Sequence, residues 1–412
     1  MAIRLISDDA LADSIFDIVI SGLKPSSPYR LEMTLENYYN INAPMDLSRI
    51  VPWRSSGLYY SDQQGCISLS QTACQSGSYQ GQYPMGLFFN SRPDKIRKVS
   101  LPSRLEDIPF NKHFNVLLEV FEGKRKLEEL RFSRYYQLPH IRGQDVSFYQ
   151  AKARLFYPEK AGNLPAIVVL SGSDGRIEKA QNIAQLLASH GFVTLAVAYF
   201  GLEGTPEDLD RIDLGFMEEV LTYLGSMPQV DKERIGIYGR SKGAELALTA
   251  AAFFPKLKCI IANSPSCAVL EGMKGYRNSG HSSWVYQGRE LPFTGFSLRA
   301  FLVGKLSRKP RIRYQADSYI PVETIQGHLL LIGSKQDEIW PADESIEKIS
   351  ERWQQRKNQM YHLEKLVLEH SGHMLTVAYQ PNNRYKKIAW QEVLSDSVRS
   401  WQATVGFFQK YL

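Results

Sequence analysis

Ser241 lies in Gly239-Arg240-Ser241-Lys242-Gly243, a serine with a glycine two positions to either side. Upstream, RIGIYG is a short apolar run that reads as a strand; downstream, KGAELALTAAAFF reads as a helix that begins at once. A neutral serine hydroxyl is a poor nucleophile. It becomes a good one when a sharp strand-to-helix turn exposes it at the carboxyl edge of a sheet, a base takes its proton and an acid orients the base. Glycines suit such a turn because the two backbones must nearly touch around it. The same turn aims the backbone N–H of Lys242 at the spot where an oxyanion would form. The competing reading, an N-capping serine in a strand–helix loop, needs no distant partners.

Distant partners are present. HLLLIGSKQDEIWPADES carries Asp337 just past an apolar run, with Glu338 as the neighbouring competitor, and EKLVLEHSGHMLT carries His370 and His373 past the last such run. Serine, then an acid, then histidine, each after a later strand, is the chain order of α/β-hydrolases. His373 is the preferred base, since Gly372 permits a tight loop that swings an imidazole back over the sheet edge, whereas His370 adjoins the strand end. A second oxyanion N–H is expected from the loop after the first buried strand, VVLSGSDGR. The backbone of Ser173 is the candidate and its hydroxyl is incidental.

These residues need a sheet to hold them. After about residue 145, the runs AIVVLSG, FVTLAVAY, RIGIYG, KCIIANS, HLLLIGS and EKLVLEH are continuous and apolar, as in parallel strands buried on both faces. Helical segments lie between most of them; IEKAQNIAQLLASHG sets Ile177, Ala180, Ile183, Leu186 and Leu187 along one face. Strand and helix in alternation point to an α/β layer fold. The first third has period two instead. Leu31, Met33 and Leu35 face one way and Glu32, Thr34 and Glu36 the other, FNVLLEVFEGKRKLEELRFSRYY reads as a hairpin, and FDIVISGL and MGLFFN read as further strands. The expectation is a β-sandwich over residues 1–142 and an α/β-hydrolase domain over 143–412, joined near QLPHIRGQDVSFYQAK. An insertion over about 270–318 is expected to cap the site. Within its stretch 272–315, Lys274, Arg277, Arg289, Arg299, Lys305, Arg308, Lys309, Arg311 and Arg313 are opposed only by Glu290 and interleaved with apolar residues, which suits either a solvated charged face or an acyl channel with cations for a phosphate-bearing leaving group.

Composition sets the bounds. With 412 residues, 43% hydrophobic and 22% charged, the chain has material for two ordinary domains. A net charge of +6 over that length does not call for a nucleic-acid partner. Cys66, Cys74, Cys259 and Cys267 lack zinc or CxxC spacing, and the last two sit in apolar segments as core residues. No metal or cofactor is expected. MAIRLISDDALADSIFD has acids where a signal peptide needs an apolar stretch, no apolar run reaches a membrane span, and the final Lys410-Tyr411-Leu412 is not a peroxisomal signal. A reducing cytoplasm is the expected compartment.

Nearly the whole chain resembles the acyl-CoA thioesterase and bile-acid-CoA:amino-acid N-acyltransferase family. YPMGLFFNSRP is similar to its sandwich domain, LPAIVVLSGSDGRIEKAQNIAQLLASHGFVTLAVAYFGLEG to its first hydrolase unit and VDKERIGIYGRSKGAELAL to its nucleophile turn. LLLIGSKQDEIWPADES is similar to its acid loop and LEHSGHML to its histidine loop. The resemblance implies an N-terminal immunoglobulin-like sandwich, with Ser241 as nucleophile, Asp337 as acid and His373 as base. Trp340, three residues after Asp337, fixes that register against Glu338, and Gln336-Asp337 stands where members often have two aspartates. It further implies acyl transfer from a coenzyme A thioester to water, or to glycine or taurine in members whose nucleophile is cysteine; Ser241 favours hydrolysis. Arg240 and Lys242 are more basic than the commoner family pattern, which bears on specificity. The rival readings are a carboxylesterase or dienelactone-hydrolase-like esterase, an N-acyltransferase, and a non-catalytic binding protein.

Overall fold

The computed structural model describes residues 1–160, 162–295, 312–356, 359–375, 377–382, 384–385 and 387–412. Two compact units are present: Met1–Leu101 with Asn111–Leu138 and Thr376–Val398, and Pro102–Phe110 with Pro139–Leu375 and Arg399–Leu412. The chain thus enters each unit more than once.

The first unit holds β1 (Ala2–Ser7), β2 (Phe16–Ser21), β3 (Pro28–Glu36), β4 (Trp53–Tyr60), β5 (Ile67–Ser68), β6 (Ser76–Gly77), α1 (Gly86–Phe89), β7 (Arg92–Pro93), β8 (His113–Glu122) and β9 (Arg125–Tyr135). They make two antiparallel sheets, β1-β2-β5 and β6-β4-β3-β8-β9, with β7 beside β4. The period-two pattern sets their inner faces. Leu31, Met33 and Leu35 are fully buried, and Phe16 of β2 meets the ring of Phe132 in β9 edge-on at 5.3 Å, joining the sheets through one apolar layer. MGLFFN departs from expectation: Gly86–Phe89 is a helical turn. All four of its residues are buried, so no alternation could define a strand, and Gly86 lies so close to Tyr79 that a Cβ would come within 2.3 Å of the ring.

The second unit is built on one eight-stranded sheet, from β10 (Ile141–Ser147), β11 (Lys152–Pro158), β12 (Leu164–Leu170), β13 (Val193–Ala198), β15 (Val230–Arg240), β16 (Leu257–Asn263), β21 (His328–Ser334) and β22 (Leu363–Leu368). Its order is β10-β11-β13-β12-β15-β16-β21-β22, antiparallel as far as β13 and parallel beyond. QLPHIRGQDVSFYQAK is therefore not simply a connection, since Ile141–Ser147 is the sheet's first strand. Its alternating exposure is that of an edge strand, which lacks the continuous apolar run by which buried strands are read. Ile167, Val168, Val169 and Leu170 of β12 are wholly buried, each contributing about 1.5–3 kcal/mol by leaving water. Helices α2 (Ile177–Ser189), α3 (Gly215–Ser226), α4 (Lys242–Phe253) and α5 (Ala342–Trp353) connect the strands, and α6 (Trp390–Tyr411) ends the chain. A β-rich N-terminal region followed by an α/β-hydrolase sheet is the expected fold class in outline. No described helix is long and apolar enough to cross a membrane.

The described part of the 270–318 insertion contains the hairpin of β17 (Glu271–Lys274) and β18 (Arg277–Ser282). It also holds β19 (Trp284–Tyr286) and β20 (Arg289–Glu290), which form a small sheet with β14 (Ile212–Asp213). Lys274 pairs with Asp210 at 3.2 Å, while Arg277, Arg289 and Arg313 are exposed. Arg299, Lys305, Arg308, Lys309 and Arg311 lie outside the described residues.

Candidate active site

At the carboxyl end of β15 the chain turns through Ser241 straight into α4, with Ser241 at φ 58° and ψ −124°. That conformation costs a non-glycine residue about 1–3 kcal/mol and persists only when its surroundings impose it. The glycines on either side show the constraint. A Cβ on Gly239 would sit 1.9 Å from the carbonyl oxygen of Gly243, and one on Gly243 would sit 1.9 Å from that of Ser171. Gly243→Ala is therefore expected to destabilise the protein by at least about 3 kcal/mol, read as a lowered midpoint in thermal or denaturant unfolding. The Ser241 N–H donates to the Asn263 carbonyl at 2.9 Å, tying the turn to β16.

The serine hydroxyl does not cap the helix. It lies 2.8 Å from Nε2 of His373, whose Nδ1 is 2.8 Å from Oδ2 of Asp337. All three are buried, with 9%, 5% and 4% of their surfaces exposed for Ser241, His373 and Asp337. The sequence thus brings to one point three side chains from three separate loops. Such an arrangement can pass a proton from Oγ to Nε2 and balance the resulting imidazolium with a carboxylate. His370 is exposed at the end of β22 and stands outside this group.

The loops that carry the acid and the imidazole are cross-tied. Oδ1 of Asp337 accepts from the N–H groups of Ile339 and Trp340, at 2.9 and 3.1 Å, which leaves Oδ2 facing the ring. Trp340 packs edge-on against the imidazole at 4.9 Å and donates its indole N–H to the Ser264 carbonyl at 3.1 Å. Glu338, weighed from sequence as a rival acid, instead accepts the backbone N–H of His373 at 2.9 Å. Ser264 donates to the His373 carbonyl at 3.0 Å, Ser334 to that of Ser371, and the Asn263 amide to that of Leu375 at 2.6 Å. Only the Trp340 register was open to sequence reading; the serine and asparagine supports had no local signal.

Two backbone segments adjoin Ser241. Lys242 is the first residue of α4, where a helix leaves its N–H groups without intrahelical partners. Gly172 approaches closely enough that a Cβ would stand 3.1 Å from Cβ of Ser241, which brings the loop preceding Ser173 alongside. Ser173 itself is exposed. Tyr199 holds that loop, donating its hydroxyl to the carbonyls of Gly172 at 2.5 Å and Ser171 at 3.2 Å, and burial pushes its phenol far above the ordinary value.

The two basic neighbours of Ser241 are not free cations. Arg240 is buried with Nη1 3.3 Å from the Met374 sulfur. Lys242 is buried too, its Nζ 2.7 and 2.9 Å from the carboxylate oxygens of Glu245. Burial pushes the Glu245 carboxyl up and the Lys242 ammonium down, and their mutual attraction opposes both shifts. Among the described residues no cluster of His, Cys, Asp or Glu could hold a metal ion.

Residues 13–148 match the acyl-CoA thioester hydrolase/BAAT N-terminal region, and residues 212–412 match the BAAT/acyl-CoA thioester hydrolase C-terminal region. Acyl-coenzyme A thioesterase 6 of Mus musculus is 28% identical over 434 residues, covering 97% of this chain and 94% of that protein. Acyl-coenzyme A amino acid N-acyltransferase 1 of Mus musculus is 25% identical over 437 residues, covering 100% of this chain and 98% of that protein. Among solved structures, a dienelactone hydrolase-like promiscuous phosphotriesterase from metagenomic libraries aligns with a TM-score of 0.40 and 18% identity, over 66% of this chain and 98% of that one. With both halves matched in their own order and full-length relatives on each side, the chain belongs to the acyl-CoA thioester hydrolase/BAAT family.

Proposed function

We propose that this protein is a serine hydrolase that cleaves acyl-CoA thioesters to a free acid and coenzyme A. Ser241 Oγ attacks the thioester carbonyl as His373 Nε2 takes its proton, and Asp337 holds the tautomer and stabilises the imidazolium. The N–H groups of Lys242 and Ser173 receive the oxyanion, each worth about 3 kcal/mol in the transition state. The carbon–sulfur bond breaks, and the thiol leaves with the proton from His373. Water then gives a proton to the same nitrogen and attacks the Ser241 ester, and the carbon–Oγ bond breaks as Oγ takes that proton back, which releases the acid and restores the serine. The observation that carries this reading is the unbroken line from Asp337 Oδ2 to the imidazole to Ser241 Oγ, with 2.8 Å at each step.

An immunoglobulin-like topology for the N-terminal sandwich, a domain boundary near residue 142, a capping role for 270–318 and a cytoplasmic setting belong to the same proposal. The four cysteines are free thiols, which suits a reducing compartment.

The full-length similarity to a mouse N-acyltransferase gives a second reading, in which an amino acid rather than water clears the acyl-enzyme. Mass-resolved turnover of an acyl-CoA panel, with and without glycine or taurine, separates the two. Free acid unaffected by acceptor supports hydrolysis, and an amide product supports transfer. Turnover of simple oxygen esters alone would replace both with a carboxylesterase.

A further inference from the structure

Glu245 lies one helical turn after the proposed nucleophile and is wholly buried. Besides the Lys242 ammonium, its Oε1 accepts the indole N–H of Trp284 at 2.8 Å and the backbone N–H of Leu270 at 3.2 Å. Lys242 Nζ also donates to the Leu270 carbonyl at 3.3 Å and stands 5.3 Å over the Trp284 ring. Trp284 is itself fully buried, with its ring 6.0 Å from that of Tyr199, the residue that holds the Gly172 carbonyl. One buried cluster therefore touches the residue on each side of the proposed oxyanion site: Lys242 at the helix start, and the Gly172–Ser173 loop through Tyr199.

A buried ion pair is costly to desolvate, and well-packed apolar residues of the same size usually serve stability as well or better. Its use here is better sought in geometry. We infer that Lys242 and Glu245, with Trp284, are positioning residues that fix the two oxyanion-binding backbone N–H groups relative to Ser241, using the 270–284 segment as their anchor. The inference rests on the serine-hydrolase reading above. The basic neighbour of Ser241 is then an internal strut, paired with Glu245.

The test uses Lys242→Met/Glu245→Gln, which removes both charges together and leaves an acceptor for Trp284 and Leu270. Trp284→Phe, which removes the indole donor and part of the ring volume but keeps an aromatic ring, is the second variant should the first not fold. Reactivity of Ser241 toward a fluorophosphonate is measured beside acyl-CoA turnover, per titrated active site, with thermal unfolding as the stability readout. The folded double variant is expected to lose about 10- to 100-fold in both kcat and the maximal labelling rate. Its KM and its half-saturating probe concentration should stay near the wild-type values. Trp284→Phe is expected to lose about 3- to 10-fold in the same constants, the worth of one buried hydrogen bond. A purely structural cluster would lower the unfolding midpoint and spare both constants. Wild-type rates in either folded variant would overturn the inference alone, while an unreactive Ser241 in the wild-type protein would overturn the triad reading and this inference with it.

Discussion

Ser241→Ala is expected to fold as the parent does and to lose at least about 10⁴-fold in kcat, because members of such a triad act as one unit. The structure separates folding from chemistry at this position. The hydroxyl makes no capping bond to α4, so its loss leaves the helix start intact. The turn is held instead by the Ser241 N–H on Asn263 and by the Ser241 carbonyl, which accepts from Ala244 and Glu245 at 2.9 and 3.1 Å. Alanine keeps all three of these, and keeps the Cβ against Gly172. Stability should therefore change by less than about 1 kcal/mol, measured by denaturant unfolding. Turnover of acyl-CoA and labelling by a fluorophosphonate should both vanish into background. A variant that turned over near the wild-type rate would move the chemistry to another residue.

How much of this was open to sequence reading depended on the range of the signal. Five of the six apolar runs of the second unit are strands buried on both faces, while the sixth, EKLVLEH, is the edge strand β22, which exposes Glu364 and Lys365 but keeps the apolar run Leu366-Val367-Leu368. The first strand of the same sheet was missed because an edge strand shows polar residues to water, as Ile141–Ser147 does. MGLFFN failed for the opposite reason, since four buried residues in a row fit a strand or a helical turn equally well. Ser241, Asp337 and His373 could be picked because the two glycines and the chain order are local features repeated after successive strands. The supports for those side chains were not legible. Glu245 looks like an ordinary polar residue on an alanine-rich helix until Trp284, 39 positions later, is seen to donate to it. Tyr199 closes an apolar run and gives no sign that its hydroxyl grips the loop beside the nucleophile. Glu338 adjoins Asp337 in sequence, but its bond to the His373 backbone is visible only with the two loops in place.

That contrast between adjacent acids gives the sharpest remaining expectation: Asp337→Asn should lower kcat by about 10⁴-fold, and Glu338→Gln should leave it within about 10-fold of the parent. In Asp337 one oxygen already accepts from two backbone N–H groups, those of Ile339 and Trp340. An asparagine amide would put its oxygen there and turn its NH₂ toward the imidazole. Nδ1 would then have to accept, the ring proton would move to Nε2, and the nitrogen facing Ser241 could no longer take a proton. Folding should survive, since the loop's own bonds are kept. Glutamine at 338 still offers an oxygen to the His373 N–H, so the loop stays tied while the charge is removed. Steady-state kinetics on both variants, with unfolding curves to exclude misfolding, decide the matter. If the 338 substitution were the more damaging for turnover at unchanged stability, the acid's role would pass to Glu338 and the tautomer argument would fail.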